Sequence, residues 1–488
     1  MPLAAEEALL SHPWQSKPFR NLALGQATSA FGNAFSPVAL AFAVLHLGGT
    51  ATELGLVVAA YALAQVVTTL VGGVLGDRLP RTVMMQGSAA LSALVQGIVA
   101  LSLIAGWGTI PMLAASQLLA GCLGALSSPS SQAVTSQVVP PRLLQRAISW
   151  RRLVTNIAMV LGFTGAGMVV AAVGAGWAIA VDAASFAIAA VFFALIRVPP
   201  VAGASRDATS PARPTVMSEA KAGIAEVMRH TWMWALIAQA LIYHFFYGGA
   251  QGVLGPIVVR DHFGEAAWGW ALGAIMTGFM VGGLLTLRWR PRRGLYAGTV
   301  LLGLTACFPA ALAAGLDLWL VLIGAFLHGF GLEIFSVNWD VAIQQQVAPD
   351  KLARVFAVDV AGSFVARPLG LAITGPIAEI VGYRPWLWVV TGVVTGSLAL
   401  VLLVPSIRRL ERSDDPDHAE RADHADRAED ADHADRADGA DHADRADGAD
   451  HADRAEDADQ GDHRDHGDHR HHPEHPNRPP APTDPTDG

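Results

Sequence analysis

The chain has 488 residues, of which 52% are hydrophobic and 15% are charged. Residues 1–412 carry 25 Lys and Arg against 17 Asp and Glu, whereas residues 413–488 carry 8 against 25, so the acidic balance of the whole chain comes from its C-terminal segment. The long apolar runs exclude an ordinary globular protein in water. We expect no enzyme, cofactor or nucleic-acid partner, because no P-loop sequence or catalytic-triad spacing occurs.

The apolar runs predict twelve transmembrane helices, each long enough to cross a hydrocarbon core of about 30 Å. Their predicted bounds are 19–46, 53–76, 82–105, 110–138, 145–173, 175–197, 232–259, 267–287, 295–315, 318–345, 354–382 and 386–405. Basic residues such as Lys17, Arg197 and Lys351 accumulate on one side of these spans, and Arg260 and Arg384 lie on the other. Because cytoplasmic loops are enriched in Lys and Arg, we predict a bacterial plasma-membrane protein with both termini in the cytoplasm.

One stretch of the chain occurs twice. The segment from Gln137 to Gly174 is repeated from Gln345 to Gly382 at a constant offset of 208 residues, with eleven identical positions and no gap. Such internal repetition indicates duplication, and both copies run through the membrane in the same direction. We therefore predict a six-helix bundle over 1–197, a cytoplasmic linker over 198–231 and a second six-helix bundle over 232–412.

Within the C-terminal segment, residues 413–488, the chain cycles from residue 417 through an Asp-, Ala- and His-rich unit of nine residues. It contains no large apolar residue, so we expect it to be disordered and dispensable for the function of the membrane-spanning body. Its eleven histidines suggest metal binding as an alternative. However, a nine-residue period would place successive histidines on opposite faces of a helix. We favour a solvated segment, and we predict no metal site.

Several motifs indicate a family. The loop GGVLGDRLPR at Gly72–Arg81 resembles the G-x-x-x-D-R-x-G-R signature of the major facilitator superfamily. AVDAASFAIAA at Ala180–Ala190 resembles helix 6 of its drug:proton antiporter branch, which contains the enterobactin and macrolide exporters. The resemblance implies two six-helix bundles around a central cavity lined mainly by helices 1, 4, 7 and 10. In the signature loop it implies a gate formed by Asp77, Arg78 and Arg81.

Three positions depart from the pattern of that branch. Asn33 replaces a frequent Asp, Gln117 replaces a frequent Arg, and Phe163 replaces the Pro that ends the antiporter signature of helix 5. These departures leave the usual proton-coupling groups without a counterpart in this chain. An alternative to a transporter is a membrane sensor or scaffold that has kept the fold and lost transport, and these three departures support that alternative.

Polar residues at helical spacing predict the residues that line the cavity, because a helix facing lipid is apolar on that face. The predicted substrate-cavity residues at this spacing are Gln26 and Asn33 in span 1, Gln117 in span 4, and Gln239, Tyr243, Tyr247 and Gln251 in span 7. Trp339 in span 10 is a further predicted cavity residue, because its ring, like those of Tyr243 and Tyr247, can stack against a substrate. The alternative is hydrogen bonding between packed helices, which we favour for single Ser and Thr residues. The four-residue spacing of the Gln–Tyr–Tyr–Gln stripe favours a cavity.

Charged residues near the centre of a span predict the proton-coupling groups, because a charge at that depth is costly unless it has a function or a partner. Glu333 and Arg367 are such residues, and we predict that they pair across facing helices, with Glu333 taking up a proton. Asp340 and Asp359 are the next candidates. The alternative is a permanent structural ion pair. We predict that Asp182 and His328 have structural roles.

These observations predict a twelve-helix secondary transporter that exports a small amphipathic compound, such as a drug, a macrolide or a siderophore-like molecule. We expect it to act as a monomer among membrane lipids and to exchange its substrate for protons. An importer and a metal-efflux carrier of the same fold are further alternatives, because a fold does not set the function.

Overall fold

The computed structural model describes residues 11–76, 81–135, 137–196 and 216–412, and for 70–76, 81, 128–133, 141, 216 and 217 it describes only the backbone. The described chain is all-α, and its twelve long helical segments follow the twelve apolar runs of the sequence. In chain order they are α1 (Lys17–His46), α2 (Ala51–Gly76), α3 (Arg81–Ile104), α4 (Ile110–Thr135), α5 (Leu144–Val173), α6 (Ala175–Ala194), α7 (Thr231–Gly249, Ala250–Leu254 and Gly255–Phe263), α8 (Glu265–Arg288), α9 (Gly294–Ala314), α10 (Leu318–Gln346), α11 (Leu352–Val381) and α12 (Tyr383–Leu402). Shorter helices cover Pro13–Gln15, Pro141–Leu143, Val216–Arg229 and Pro405–Arg409.

Within the described residues, eleven of these helices are long and apolar enough to cross a membrane, and α7 is the exception. Polar and aromatic side chains such as Gln239, Tyr243 and His244 lower its hydropathy. Its middle segment, Ala250–Leu254, is a π-helical turn. Pro256 follows this turn and has no N–H to donate to an α-helical hydrogen bond, which accounts for the local change of helix type.

Two further spans are interrupted. α1 consists of Lys17–Asn33 and Phe35–His46, and α11 consists of Leu352–Phe364 and Arg367–Val381. In α11, Pro368 is the second residue of the outer segment, where a proline fits the first turn of a helix but cannot continue a preceding one. Arg367 therefore begins the second segment in the middle of the span.

The helices form two six-helix bundles. In the first, α3 packs against α6 and α4, and α1 packs against α5 and α6; in the second, α10 packs against α8 and α9, and α7 packs against α11 and α12. Contacts between the bundles are made by α5 with α8 and by α2 with the second segment of α11. Of the four helices that the family resemblance places around the central cavity, α1, α4 and α7 contribute lining residues, whereas no described residue of α10 lines it.

The repeated segment ends in the same backbone conformation in both copies, although α5 is continuous and α11 is interrupted. Gly174 ends α5 and Gly382 ends α11, and both have φ of +93°. A side chain is strained at such a φ, so glycine allows the abrupt turn from one span into the next. The two positions are related by the offset of 208 residues.

A second pair of repeated glycines permits close helix packing inside each bundle. A Cβ at Gly162 would meet the carbonyl oxygen of Phe31 in α1, and a Cβ at Gly370 would meet the carbonyl oxygen of Phe245 in α7. Small residues allow helix backbones to approach closely in membranes. The duplicated glycines therefore maintain equivalent crossings, α5 with α1 and α11 with α7.

Candidate functional site: the central cavity and its closed end

A cavity of about 740 Å³ lies between the two bundles. It is lined by α1, α3, α4, α5 and α6 of the first bundle, by α7, α8 and α11 of the second, and by two residues of α2. Its polar lining residues are Gln26, Ser29, Asn33, Ser36, Tyr61, Ser88, Ser92, Gln96, Gln117, Ser127, Arg151, Arg152, Thr155, Asn156, Gln251 and Arg367. Apolar surface beside these polar residues comes from Phe163, Phe186, Phe193 and Trp268. The cavity can therefore enclose a drug-sized molecule with both polar and apolar parts.

Four of the eight predicted substrate-cavity residues line this cavity. They are Gln26, Asn33, Gln117 and Gln251. The Nδ2 of Asn33 donates to Ser29 Oγ at 3.2 Å, and Gln26 accepts a hydrogen bond from Arg151 at 3.3 Å. Their amide groups are thus already part of a polar surface that faces the cavity.

Tyr243 and Tyr247 are buried against α10 and do not line the cavity. The two rings stack with centroids 5.0 Å apart, and Tyr247 stacks on His328 at 4.4 Å. His328 is itself held between Thr305 O, 3.1 Å from its Nδ1, and the Tyr243 hydroxyl, 3.3 Å from its Nε2. The predicted stripe is present on one face of α7, but in this conformation that face packs against His328.

Gln239 and Trp339 are likewise buried outside the cavity lining. Trp339 Nε1 donates to Asp359 Oδ2 at 3.0 Å, and the Trp339 ring packs edge-to-face against Trp232. The assignment of Gln239, Trp339 and the two tyrosines to the substrate path stays a prediction.

The sequence contains a signal for cavity residues of α3 that our prediction did not use. Ser88, Ser92 and Gln96 all line the cavity, and they are spaced four residues apart. This is the same periodicity that singles out the stripe of α7. In α5, Arg151 and Thr155, and Arg152 and Asn156, have this spacing as well.

Asp182 in α6 is fully buried in the first bundle. Gln96, which lines the cavity, donates to Asp182 Oδ2 at 3.0 Å, whereas Oδ1 has no hydrogen-bond partner among the described residues. Ser185 donates to the backbone oxygen of Asp182 at 2.7 Å. The aspartate of the helix 6 motif thus links α6 to α3 through the cavity wall.

Arg367 lines the cavity from α11 and is half-buried. Its side chain runs along Gly248, where an added Cβ would lie 3.3 Å from Arg367 Cγ. Its electrostatic neighbours are Tyr61 and Tyr243. Its guanidinium group makes no ion pair with a carboxylate of the described residues, and it faces the cavity space.

Glu333 lies elsewhere, in α10 against α8. A Cβ at Gly283 would lie 3.4 Å from Glu333 Oε1, and the electrostatic neighbours of Glu333 are Arg152 and Asp340. In the described part of the chain, no ion pair joins Glu333 to Arg367. The structure brings Glu333 towards Arg152 of the opposite bundle, and the predicted pairing with Arg367 is not present in this conformation.

The predicted gate falls largely outside the described residues. Asp77 and Arg78 are not described, and for Arg81, the first residue of α3, only the backbone is described. Their role as gating residues stays a prediction.

The two bundles are in close contact at the end of the molecule that we predict to face outward. A Cβ at Gly167 in α5 would lie 2.6 Å from Ala266 O in α8, and a Cβ at Gly269 would lie 2.8 Å from Gly167 Cα. At the equivalent position of the repeat, a Cβ at Gly375 in α11 would lie 2.5 Å from Thr52 Cα in α2. These two glycine seams bring the helix backbones together and close this end of the cavity.

Two polar contacts join the bundles beside the glycine seams. His46 Nε2 at the end of α1 lies 2.6 Å from Glu265 Oε1 at the start of α8. Glu379 of α11 accepts from Thr52 N at 3.0 Å and from Thr52 Oγ1 at 2.9 Å. Glu379 therefore caps the N-terminus of α2, a helix of the other bundle.

Replacing Glu379 with alanine should weaken the outer closure. The loss of a helix cap costs about 1 kcal/mol, which corresponds to roughly a fivefold increase in the outward-open population. A single cysteine at Gln251, in a background without Cys122 and Cys307, should react faster with an impermeant reagent added from outside. Glu53→Ala is the matched control, because Glu53 interacts with Thr50 of its own bundle. Unchanged reactivity would show that Glu379 does not hold this end shut.

Comparison with known proteins identifies the family of this chain. The family model of the Major Facilitator Superfamily matches residues 22–282 and 240–434. The chain belongs to the major facilitator superfamily. It is a membrane transporter protein of this family, in agreement with the predicted fold class and with the motifs of its second loop and sixth helix.

Two relatives with similar sequences are efflux proteins. The chain is 23% identical over 410 residues to macrolide efflux protein A of Streptococcus pyogenes, covering 82% of this chain and 98% of that protein. It is 26% identical over 406 residues to the multidrug efflux pump Tap of Mycolicibacterium fortuitum, covering 80% and 96%.

Solved structures share the fold at low sequence identity. A bacterial homologue of the human lysosomal transporter Spinster, in an inward-facing and unoccupied conformation, gives a TM-score of 0.61 at 15% identity and covers 82% of this chain and 98% of that one. The nucleoside transporter NupG gives 0.60 at 12% identity, with 80% and 99% covered.

Proposed function

We propose that this protein exports small amphipathic organic compounds from a bacterial cytoplasm by alternating access, in exchange for protons. The observation that carries the proposal is the central cavity, which is large enough for a drug-sized molecule and is closed at the predicted outer end by the glycine seams. The names of the two relatives, a macrolide efflux protein and a multidrug efflux pump, support export as the direction. The polar and aromatic lining suits a drug, macrolide or siderophore-like compound.

Alternating access requires an interface that separates at one end as it closes at the other. At the predicted outer end, the contacts between the bundles include close approaches of glycine backbones and a few polar groups. From the middle of the span to the predicted outer end, α2 packs against the second segment of α11, whose first residue is Arg367. The bundles can therefore rock about their middle without breaking the core of either bundle.

The coupling groups are proposed to be carboxyl groups of the second bundle. Glu333 is half-buried at membrane depth and Asp340 is exposed beside it, while Asp359 is held by Trp339 and Ser363. We place proton uptake at Glu333, with Arg152 as its electrostatic partner in this conformation. We further propose that the protein works as a monomer in the plasma membrane with both termini in the cytoplasm. Transport does not need the tail 413–488, which lies outside the described residues.

Accumulation of fluorescent drugs in a bacterial host that lacks its own pumps tests the function. Expression should lower the steady-state accumulation of at least one amphipathic compound in a panel, and collapse of the proton gradient should abolish the difference. Higher accumulation would indicate an importer, and unchanged accumulation across the panel would support a sensor or scaffold. Lower accumulation of a metal ion alone would support a metal-efflux carrier. Among the described residues, no three His, Cys, Asp or Glu side chains are grouped so that they could hold a metal ion.

A further inference from the structure

The charge on the cavity wall has one sign. Three guanidinium groups line the cavity, those of Arg151, Arg152 and Arg367, and no carboxylate is among the described lining residues. Around them the wall offers amide and hydroxyl groups, which solvate either sign of charge. A cavity lined by a single sign of charge within low-dielectric walls attracts the opposite charge and excludes its own.

The three arginines differ in what they face. Arg151 donates to Gln26, and Arg152 has Glu333 and Asp340 as electrostatic neighbours across the gap between the bundles. Among the described residues, the electrostatic neighbours of Arg367 are aromatic side chains, the phenols of Tyr61 and Tyr243 and the imidazole of His244, and no carboxylate is among them. Its guanidinium group is therefore the one whose charge is least offset by the protein.

The depth of Arg367 makes an uncompensated charge costly. It is the sixteenth residue of the thirty in α11, which places it about 23 Å along the helix from Leu352, near the middle of the span. A cation at that depth is retained when it lines a wet cavity and meets a partner or a ligand. The first copy of the repeat has Met159 at the position equivalent to Arg367, so only the second bundle carries this charge.

We propose that Arg367 binds an anionic group of the substrate, so that this transporter selects amphipathic organic anions, such as aromatic carboxylates, over cations of the same size. The inference rests on the proposed function and assigns the sign of its substrate. The anionic group accepts hydrogen bonds from the N–H groups of the Arg367 guanidinium. Further hydrogen bonds come from the Tyr61 hydroxyl and the Gln251 amide, which both line the cavity. The apolar body of the substrate packs against Phe163 and Trp268, which line the same space.

Binding of three anthracene probes to the purified full-length protein tests the proposal. The probes are anthracene carboxylate, the uncharged anthracene carboxamide and anthracene methylammonium, which share one ring system. The wild-type protein should bind the carboxylate at least about tenfold more tightly than the ammonium, with the amide between them, since a hydrogen bond to a charged group is worth that much or more. Equal or tighter binding of the ammonium, or no binding of the carboxylate at millimolar concentration, would overturn the proposal without any variant.

Substitutions then assign the effect to Arg367. Arg367→Gln should weaken carboxylate binding about tenfold and leave amide binding within about twofold, whereas Arg367→Lys should keep most of the preference. Arg354→Gln is the matched control, since Arg354 belongs to the same helix and does not line the cavity. If Arg367→Gln weakens the amide and the carboxylate equally, the residue supports the fold or the conformational change and the proposal fails.

Uptake of the same probes into inverted membrane vesicles separates this inference from the proposed function. Proton-driven uptake of the amide with no preference for the carboxylate would refute the anion site and leave export intact. Selective carboxylate binding with no uptake of any probe would refute transport and leave the site intact.

Discussion

Gly269→Val should lower transport about fivefold or more while leaving both six-helix bundles folded. A Cβ at this position would lie 2.8 Å from Gly167 Cα and N, and these are backbone atoms of α5 that cannot rotate away. In the variant, the added side chain therefore keeps α5 and α8 from reaching the separation that they have when the outer end is closed. Overpacking of this kind costs about 1–3 kcal/mol, which disfavours the outer-closed conformation by roughly fivefold to a hundredfold.

The first measurement is transport of a substrate identified in the drug panel, and Gly269→Val should lower its rate. The second is the reactivity of a cysteine at Gln251 with a reagent added from outside, and Gly269→Val should raise it. Gly392→Val is the matched control, because nothing lies within 4 Å of a Cβ at Gly392 in α12. A Gly269→Val protein that transports at the wild-type rate would show that the α5–α8 seam opens and closes without this contact, or never closes during transport.

The glycine seams also show how much of the fold the sequence predicts. The offset of 208 residues is enough to identify Gly167 and Gly375 as equivalent, and both lie where the two bundles meet. What the repeat cannot predict is the partner of each glycine, because α5 meets α8 whereas α11 meets α2. Duplication preserves a position within its own bundle, and the contacts between bundles depend on how the two copies face each other.

The cavity shows the corresponding limit for the site. Periodicity correctly identifies a polar face on α7, but a spacing of four residues does not reveal what that face contacts. For Tyr243 and Tyr247 the neighbour is His328 of α10, whose ring stacks on Tyr247 and whose Nε2 lies 3.3 Å from the Tyr243 hydroxyl. The hydrogen bond accounts for the Tyr243 hydroxyl, whereas the buried Tyr247 hydroxyl has no hydrogen-bond partner among the described residues and the Tyr247 ring is held by stacking. Only the end of the stripe, Gln251 in the π-helical turn, faces the cavity.

The lone charges show a third limit. The sequence identifies both Glu333 and Arg367 as charges at membrane depth, and mutual pairing is the simplest way to offset their cost. The structure places one on the α8 side of α10 and the other beside α7, each with a different neighbour. A charged side chain that lines a cavity does not need an ion-pair partner, because water or a bound substrate can solvate its charge. The depth of Glu333 and Arg367 in the membrane can be predicted from the sequence, but their roles depend on neighbouring side chains that only the structure shows.

Glu333→Gln should uncouple export from the proton gradient. If one proton is exchanged per substrate, a pH difference of one unit is worth about 1.4 kcal/mol and supports about a tenfold concentration ratio. The amide of glutamine cannot take up a proton in this cycle, so the ratio in inverted vesicles should fall to about one while exchange of labelled for unlabelled substrate continues. The charged and titratable groups that face Glu333 are Arg152 from α5 and Asp340 from its own helix.

Asp340→Asn is the control for a change of charge alone. Asp340 is exposed and shares the neighbour Arg152, so this variant alters the same local field and should keep proton-driven uptake within about twofold if Glu333 carries the proton. The exchange of charges, Glu333→Arg with Arg152→Glu, decides between a proton carrier and a permanent ion pair. A permanent pair regains transport in the exchanged protein because the attraction is restored, whereas a proton carrier regains folding alone. Full pH-dependent uptake by Glu333→Gln would place the coupling group elsewhere, with Asp340 and Asp359 as the remaining candidates.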